Sequence, residues 1–257
     1  MTELKGLIFD VDGTLADTER DGHRIAFNRA FADAGLDWVW DVAVYDELLS
    51  VFGGKERIRH FIEDYRPVFE APPDPDGFIR RLHGRKTGHY LELLKSGSIP
   101  LRPGVERLLR EAREAGLKLA IASTTTLENL TVLLGETLGE HSLGWFDVIA
   151  CGDVVPNKKP APDIYEYALG QLGLEADECL AIEDSESGLL SATAAGLKTV
   201  VTVNGSTRHQ DFTGAVIVLD HLGEPGRGFT VLAGDAGSAT MLDVDLLRRF
   251  QTVRTTF

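Results

Sequence analysis

Two aspartates one residue apart, Asp10 and Asp12, follow the apolar run "LKGLIF" at residues 4–9. Neighbouring carboxylates repel each other and resist burial unless a positive group sits beside them. The pair therefore raises the question of its counter-charge. Other polar residues recur in the same setting. Ser123 closes the run "LKLAIAS", with Thr124, Thr125 and Thr126 behind it. Lys158 and Lys159 open "KKPAPDIY", and Glu183 and Asp184 close "CLAIED". Clustered carboxylates with no compensating arginine are oxygen ligands for a hard dication. Mg²⁺ suits them best, because it takes few protein carboxylates and completes its shell with water or phosphate oxygens. With a lysine beside such an ion, what remains to be bound is a phosphate. Taken singly, each motif could instead be an ordinary Asp or Ser cap in a turn.

The elements that must bring these residues together follow from hydrophobic pattern. Short, nearly continuous apolar runs at 4–10, 117–123, 146–153, 179–185 and 197–203 have the character of strands covered on both faces. Helical stretches lie between them at 103–116, 162–173 and 185–196, the first opening with Pro103 and closing with Gly116. This alternation predicts an α/β fold, a Rossmann-like doubly wound parallel sheet with right-handed crossovers. Ligands of such sheets bind beyond the carboxyl ends of the strands, which is where each polar group falls. Residues 17–90 break the rhythm with four helical stretches and no strand. They predict a small helical insert, leaving 1–16 and 91–257 as the main domain. "EAPPDPDG" (70–77) is a loop within the insert, and Phe31, Trp38, Trp40 and Phe61 are expected to form its own core. The Gly-rich tail beyond "AVIVLD" (215–220) points to a last helix around "DVDLLRRF" (243–250).

Composition narrows the partners. The 257 residues carry a formal net charge of −14. No general basic field is available to attract nucleic acid or an anionic membrane, so positive contacts to a phosphorylated ligand must be local. Cys151 and Cys179 are too few for a disulfide framework and predict two reduced, buried thiols. No cationic stretch followed by an apolar one opens the chain, and no apolar run reaches about 18 residues. A cytoplasmic enzyme is the expectation.

In this order, "DVDGT", the strand-end Ser123, the Lys-Pro of "KKPAPDIY" and "IEDS" resemble the four motifs of the haloacid dehalogenase (HAD) superfamily, in its magnesium-dependent phosphatase branch. The helical insert resembles that family's type C1 cap. "DTE" (17–19), "FGGKERI" (52–58), "TTT" (124–126), "KKPAPDIY" and "TRH" (207–209) resemble the CbbY subfamily. The activity implied is removal of the 1-phosphate of xylulose 1,5-bisphosphate, a misfire product that inhibits Rubisco.

The resemblance implies a division of labour. Asp10 attacks phosphorus and becomes an aspartyl phosphate, while Asp12 is the general acid and base. Mg²⁺ is held by the Asp10 side chain, the Asp12 backbone carbonyl and Asp184, with Glu183 beside or just behind. Ser123 and Lys159 hold the phosphoryl oxygens. Lys159 is preferred to Lys158 because it directly precedes proline, as the motif lysine does. In the cap, Gly53, Gly54, Lys55 and Arg57 form a clamp for a second phosphate; the plainer alternative is a Gly turn and a charged helix face. Glu19 accepts from sugar hydroxyls or complements a helix dipole, and Asp17 caps or hinges that helix. His23 is a packed or solvated histidine. Thr124, Thr125 and Thr126 contact substrate or form a plain turn. A small phosphorylated sugar is the expected partner, and a monomer is the default because a cap needs room to move. The rivals are a β-phosphoglucomutase, which has a lysine soon after the second-motif serine where this chain has Thr; a phosphonatase using Lys55 or Lys86; and a non-catalytic sensor, which would have no need of Asp12.

Overall fold

The computed structural model describes residues 2–51, 53–66, 68–70 and 72–252, so Phe52 of the "FGGKERI" stretch lies outside the described residues. The chain divides into two compact units, Thr18–Ile99 and the pair Met1–Asp17 with Pro100–Phe257.

Among the described residues, the Thr18–Ile99 unit is helical throughout. A widened turn at Glu19–His23 leads into α1 (Arg24–Asp33), followed by α2 (Val42–Leu48), α3 (Gly54–Tyr65) and α4 (Pro75–Lys95). Asp41 caps α2 by accepting from the Val44 amide at 2.9 Å. Asp74 caps α4 by accepting from Gly77 at 2.8 Å, with Pro75 in the first turn. The interior is aromatic, as the sequence indicated. Phe31 meets Trp40 at 4.9 Å and 71°, and Trp40 meets Phe61 at 5.3 Å and 66°, both near edge-on. The unit closes at Ile99 rather than at residue 90. The reason is α4, whose buried stripe of Ile79, Leu82, Lys86, Tyr90, Leu93 and Leu94 keeps helical spacing to its end.

The other unit is built on a sheet of β1 (Gly6–Phe9), β2 (Lys118–Ser123), β3 (Val148–Cys151), β4 (Cys179–Glu183), β5 (Lys198–Thr202), β6 (Ile217–Leu219) and β7 (Val231–Gly234). The order is β3-β2-β1-β4-β5-β6-β7, with the first six strands parallel and β7 antiparallel to β6. The antiparallel edge departs from the expected all-parallel sheet. The segment after β6 turns back as a loop, and a parallel return would need a full crossover. The helices are α5 (Val105–Glu114), α6 (Leu127–Leu138), α7 (Asp163–Leu172), α8 (Glu186–Ala194) and α9 (Val244–Thr252). Ile164, Ala168 and Leu172 of α7 bury one face of the sheet through Ile8, Ala120, Ala122, Ala150 and Ala181. The tail is fastened rather than loose: the Val244 amide donates to Glu111 at 2.9 Å, and Lys198 donates to the Phe250 carbonyl at 3.2 Å. Both cysteines are free and buried. Among the described residues no helix is long and apolar enough to cross a membrane.

Candidate active site

Strand register assembles the site. Phe9 ends β1 between Ile121 of β2 and Ile182 of β4, and the Asp10 amide continues the ladder to the Ile182 carbonyl at 3.0 Å. Asp10, Ser123, Glu183 and Asp184 thereby arrive at one carboxyl edge. The chain then turns at Gly13, whose φ of 92° lies in the left-handed region. A Cβ there would overlap the Asp184 carboxylate and the Asn204 amide.

Oxygen atoms of Asp10, Glu183 and Asp184 lie within 4.8 Å of one another, all three residues buried. Lys159 reaches into them, its Nζ 2.7 Å from Asp10 Oδ1 and 2.6 Å from Glu183 Oε1. Lys158 faces elsewhere, pairing with exposed Asp153 at 2.7 Å and with the Gly152 carbonyl. Three buried carboxylates against one ammonium leave an excess of negative charge. Burial, aided by Glu183 and Asp12 and opposed by Lys159, pushes the Asp10 pKa up to about 7. Burial and then Asp10 hold Asp184 well above the carboxylate range. Burial alone would lower the Lys159 pKa, but Asp10 and Glu183 raise it above that of free lysine. An all-oxygen donor set with unneutralised negative charge fits a hard dication.

Further side chains hold this set, and the sequence reading did not identify them. Asn204 donates to Asp184 Oδ2 at 2.7 Å, and Thr14 donates to Oδ1 at 3.4 Å. The Asn204 side-chain oxygen is itself fixed by the Ser206 and Thr207 amides at 2.9 and 3.1 Å. Asn204 directly follows the apolar run at 197–203, so the strand-end logic that singled out the other residues would have reached it. Arg102 donates to the carbonyls of Gly13, Thr202 (2.8 Å), Val203 (2.6 Å) and Asp220 (2.8 Å), bracing the Gly13 turn against the ends of β5 and β6. Burial, opposed by Asp184 and Asp17, lowers its pKa. An arginine does therefore stand near the carboxylates, but its terminal nitrogens are engaged by backbone.

The remaining expectations divide. Asp12 is half-buried, with its carboxylate outside the buried trio. Ser123 is buried and accepts from the Thr125 amide at 3.3 Å. Thr124 is exposed, whereas Thr126 caps α6 by accepting from Asn129 at 3.2 Å, the plain turn role. Within the helical unit, Glu19 and Arg57 share one network. Tyr45 donates to Glu19 Oε2 at 2.5 Å and accepts from Arg57 Nη1 at 2.9 Å, while Arg57 Nε donates to the Leu48 carbonyl at 3.0 Å. Gly53, with φ 92°, precedes α3; Gly54 is its first residue, and Lys55 stands exposed on its first turn. His23 is a packed histidine, stacked on Tyr90 with ring centroids 3.9 Å apart. Burial and then Lys86 depress its pKa, so neutral Nδ1 accepts from Lys86 Nζ at 2.7 Å.

Known proteins resemble this chain over most of its length. The family model of haloacid dehalogenase-like hydrolases matches residues 4–196. Protein CbbY from a plasmid of Cupriavidus necator is 51% identical over 222 residues, 86% of this chain and 87% of that protein. The crystal structure of Rhodobacter sphaeroides CbbY in complex with phosphate matches with a TM-score of 0.75 at 44% identity, covering 85% of this chain and 94% of that one. A mutant of the same protein, crystallised with xylulose 1,5-bisphosphate, matches with the same TM-score of 0.75. The chain thus belongs to the haloacid dehalogenase-like hydrolases, and within that family it is a phosphatase similar to the CbbY proteins.

Proposed function

We propose that this enzyme hydrolyses a small sugar phosphate through an aspartyl phosphate, with the 1-phosphate of xylulose 1,5-bisphosphate as its preferred target. The observation that carries this reading is the 2.7 Å contact of Lys159 with Asp10 inside a buried carboxylate trio. An Asp10 oxygen attacks phosphorus as the ester P–O bond breaks, and Asp12 gives its proton to the departing sugar oxygen. Asp12 then takes a proton from water, whose oxygen attacks the phosphorus, releasing inorganic phosphate and restoring Asp10. Lys159 and Ser123 donate to the phosphoryl oxygens as charge spreads over them. Mg²⁺ would be held by the Asp10 carboxylate, the Asp12 carbonyl and Asp184, and when bound it offsets repulsion between Asp10 and the phosphate.

The helical unit acts as the cap that reads the sugar. Glu19 accepts from hydroxyls, and the Gly53–Gly54 backbone with Lys55 and Arg57 takes the second phosphate. Support comes from the network that fixes Arg57 through Tyr45 and Leu48, and from the sugar bisphosphate in the similar CbbY crystal structure. Phosphate release from a panel of sugar mono- and bisphosphates with Mg²⁺ tests the assignment. Xylulose 1,5-bisphosphate should give the highest kcat/KM. Conversion of glucose 1-phosphate to glucose 6-phosphate in the presence of a bisphosphate primer would mark a mutase instead.

A further inference from the structure

Glu183 is fully buried, and its two oxygens meet four donors. Oε1 accepts from Lys159 Nζ at 2.6 Å and from the Tyr165 hydroxyl at 2.5 Å. Oε2 accepts from the Asp184 amide at 3.1 Å and the Ser185 hydroxyl at 3.4 Å. A carboxylate offers about four lone-pair positions, so all are taken by the protein. Gly188 at the start of α8 packs directly on the group, since a Cβ there would overlap the Glu183 carboxylate. Tyr165, completely buried on α7, holds the lysine twice: its hydroxyl shares Oε1 with Nζ, and its ring lies 5.1 Å from Nζ.

From this saturated carboxylate we infer that Glu183 is the mooring of Lys159 rather than a direct metal ligand, and that Tyr165 is a positioning residue for the reaction, acting through Glu183 to keep the ammonium on Asp10. The inference rests on the phosphatase reading. Failure of that reading would show separately, as a parent enzyme that releases no phosphate from p-nitrophenyl phosphate.

Removing the hydroxyl opens one position on a buried carboxylate and frees Glu183 to shift, carrying Lys159 off the phosphoryl oxygens. Tyr165→Phe in the Mg²⁺-loaded enzyme should lower kcat about 10- to 100-fold, as loss of an outer partner typically does, with KM changed less than about twofold. The dissociation constant of orthovanadate, which mimics the pentacoordinate phosphorus, should rise by the same factor as kcat falls. Calorimetric Mg²⁺ affinity should stay within about twofold. Two isosteres guard against a folding defect. 4-Methylphenylalanine at 165 fills the hydroxyl's space without a donor and should reproduce the loss, whereas 4-aminophenylalanine restores a donor and should recover most of kcat. Unchanged kcat and vanadate affinity in both the Phe and methyl variants would overturn the role of Tyr165. A loss of Mg²⁺ affinity as large as the loss of kcat would overturn the role of Glu183, by placing it on the metal.

Discussion

The sheet edge and the helical unit both gather charge, and they gather it differently. At the sheet edge, Asp10, Glu183 and Asp184 are buried, and Lys159 is within 2.7 Å of two of them. Their positions descend from the hydrogen-bond ladders of β1 and β4, so a single residue's slip would displace them all. In the helical unit, Glu19, Tyr45 and Arg57 are linked through side chains, and Lys55 stands in solvent at the start of α3. No ladder fixes these groups. Under the proposed mechanism, chemistry that tolerates little displacement falls where backbone sets the geometry, and selection among substrates falls to side chains held by one another.

That contrast can be broken at several points. The largest effect belongs to the nucleophile: Asp10→Asn should lower kcat by at least about 10⁴-fold, the scale for losing a covalent catalyst, while the protein stays folded. Substantial residual turnover would remove Asp10 from the reaction. Gly13→Ala should come next. It strains a left-handed turn by about 1–2 kcal/mol and pushes a methyl group into Asp184 and Asn204, so both Tm and activity should fall. An active, equally stable variant would mean the turn is not rigid.

Lys55→Ala addresses the other region. Loss of a charge-assisted contact to phosphate should cost about 10- to 100-fold in kcat/KM for a bisphosphate, with a monophosphate nearly unaffected. Equal losses for both would take the second phosphate away from α3. The smallest effect is on stability. Asp10, raised to about 7, and Asp184, also raised, keep protons in the folded metal-free protein that the unfolded chain releases near pH 4. The folded state then binds more protons, so these two groups weaken stability as pH rises from about 4 to about 7. Mg²⁺ should therefore raise Tm more at pH 8 than at pH 5. Equal rises would contradict burial of that charge.

How much of this could be read from the sequence depended on what each residue touches. The buried parallel strands were legible because both faces are apolar, and their polar ends marked the site. β7 was not, since all four of its residues are exposed and no continuous apolar run announces it. The helical character of α4 was legible despite Gly84 and Gly88, but the end of its unit was not, because no turn signal near residue 90 marks it and the buried stripe runs on to Leu94. Nothing in the sequence sets Tyr45 and Tyr165 apart from other tyrosines, and only their hydroxyl partners in the folded chain distinguish them. Arg102 was invisible for a different reason: its partners are carbonyls, which every residue carries. Glu19 and Arg57 were singled out separately, but their link through Tyr45 exists only once the helices pack.

The central claim is that Asp10 carries the phosphoryl group between the two half-reactions. Rapid acid quenching of the Mg²⁺-loaded enzyme during turnover, followed by peptide mass spectrometry, tests it directly. The peptide containing Asp10 should gain the mass of one HPO₃ group on a carboxylate, appear within the first turnover, and lose it in hydroxylamine. A rapidly turning-over enzyme whose Asp10 peptide never gains that mass at any quench time would contradict the account.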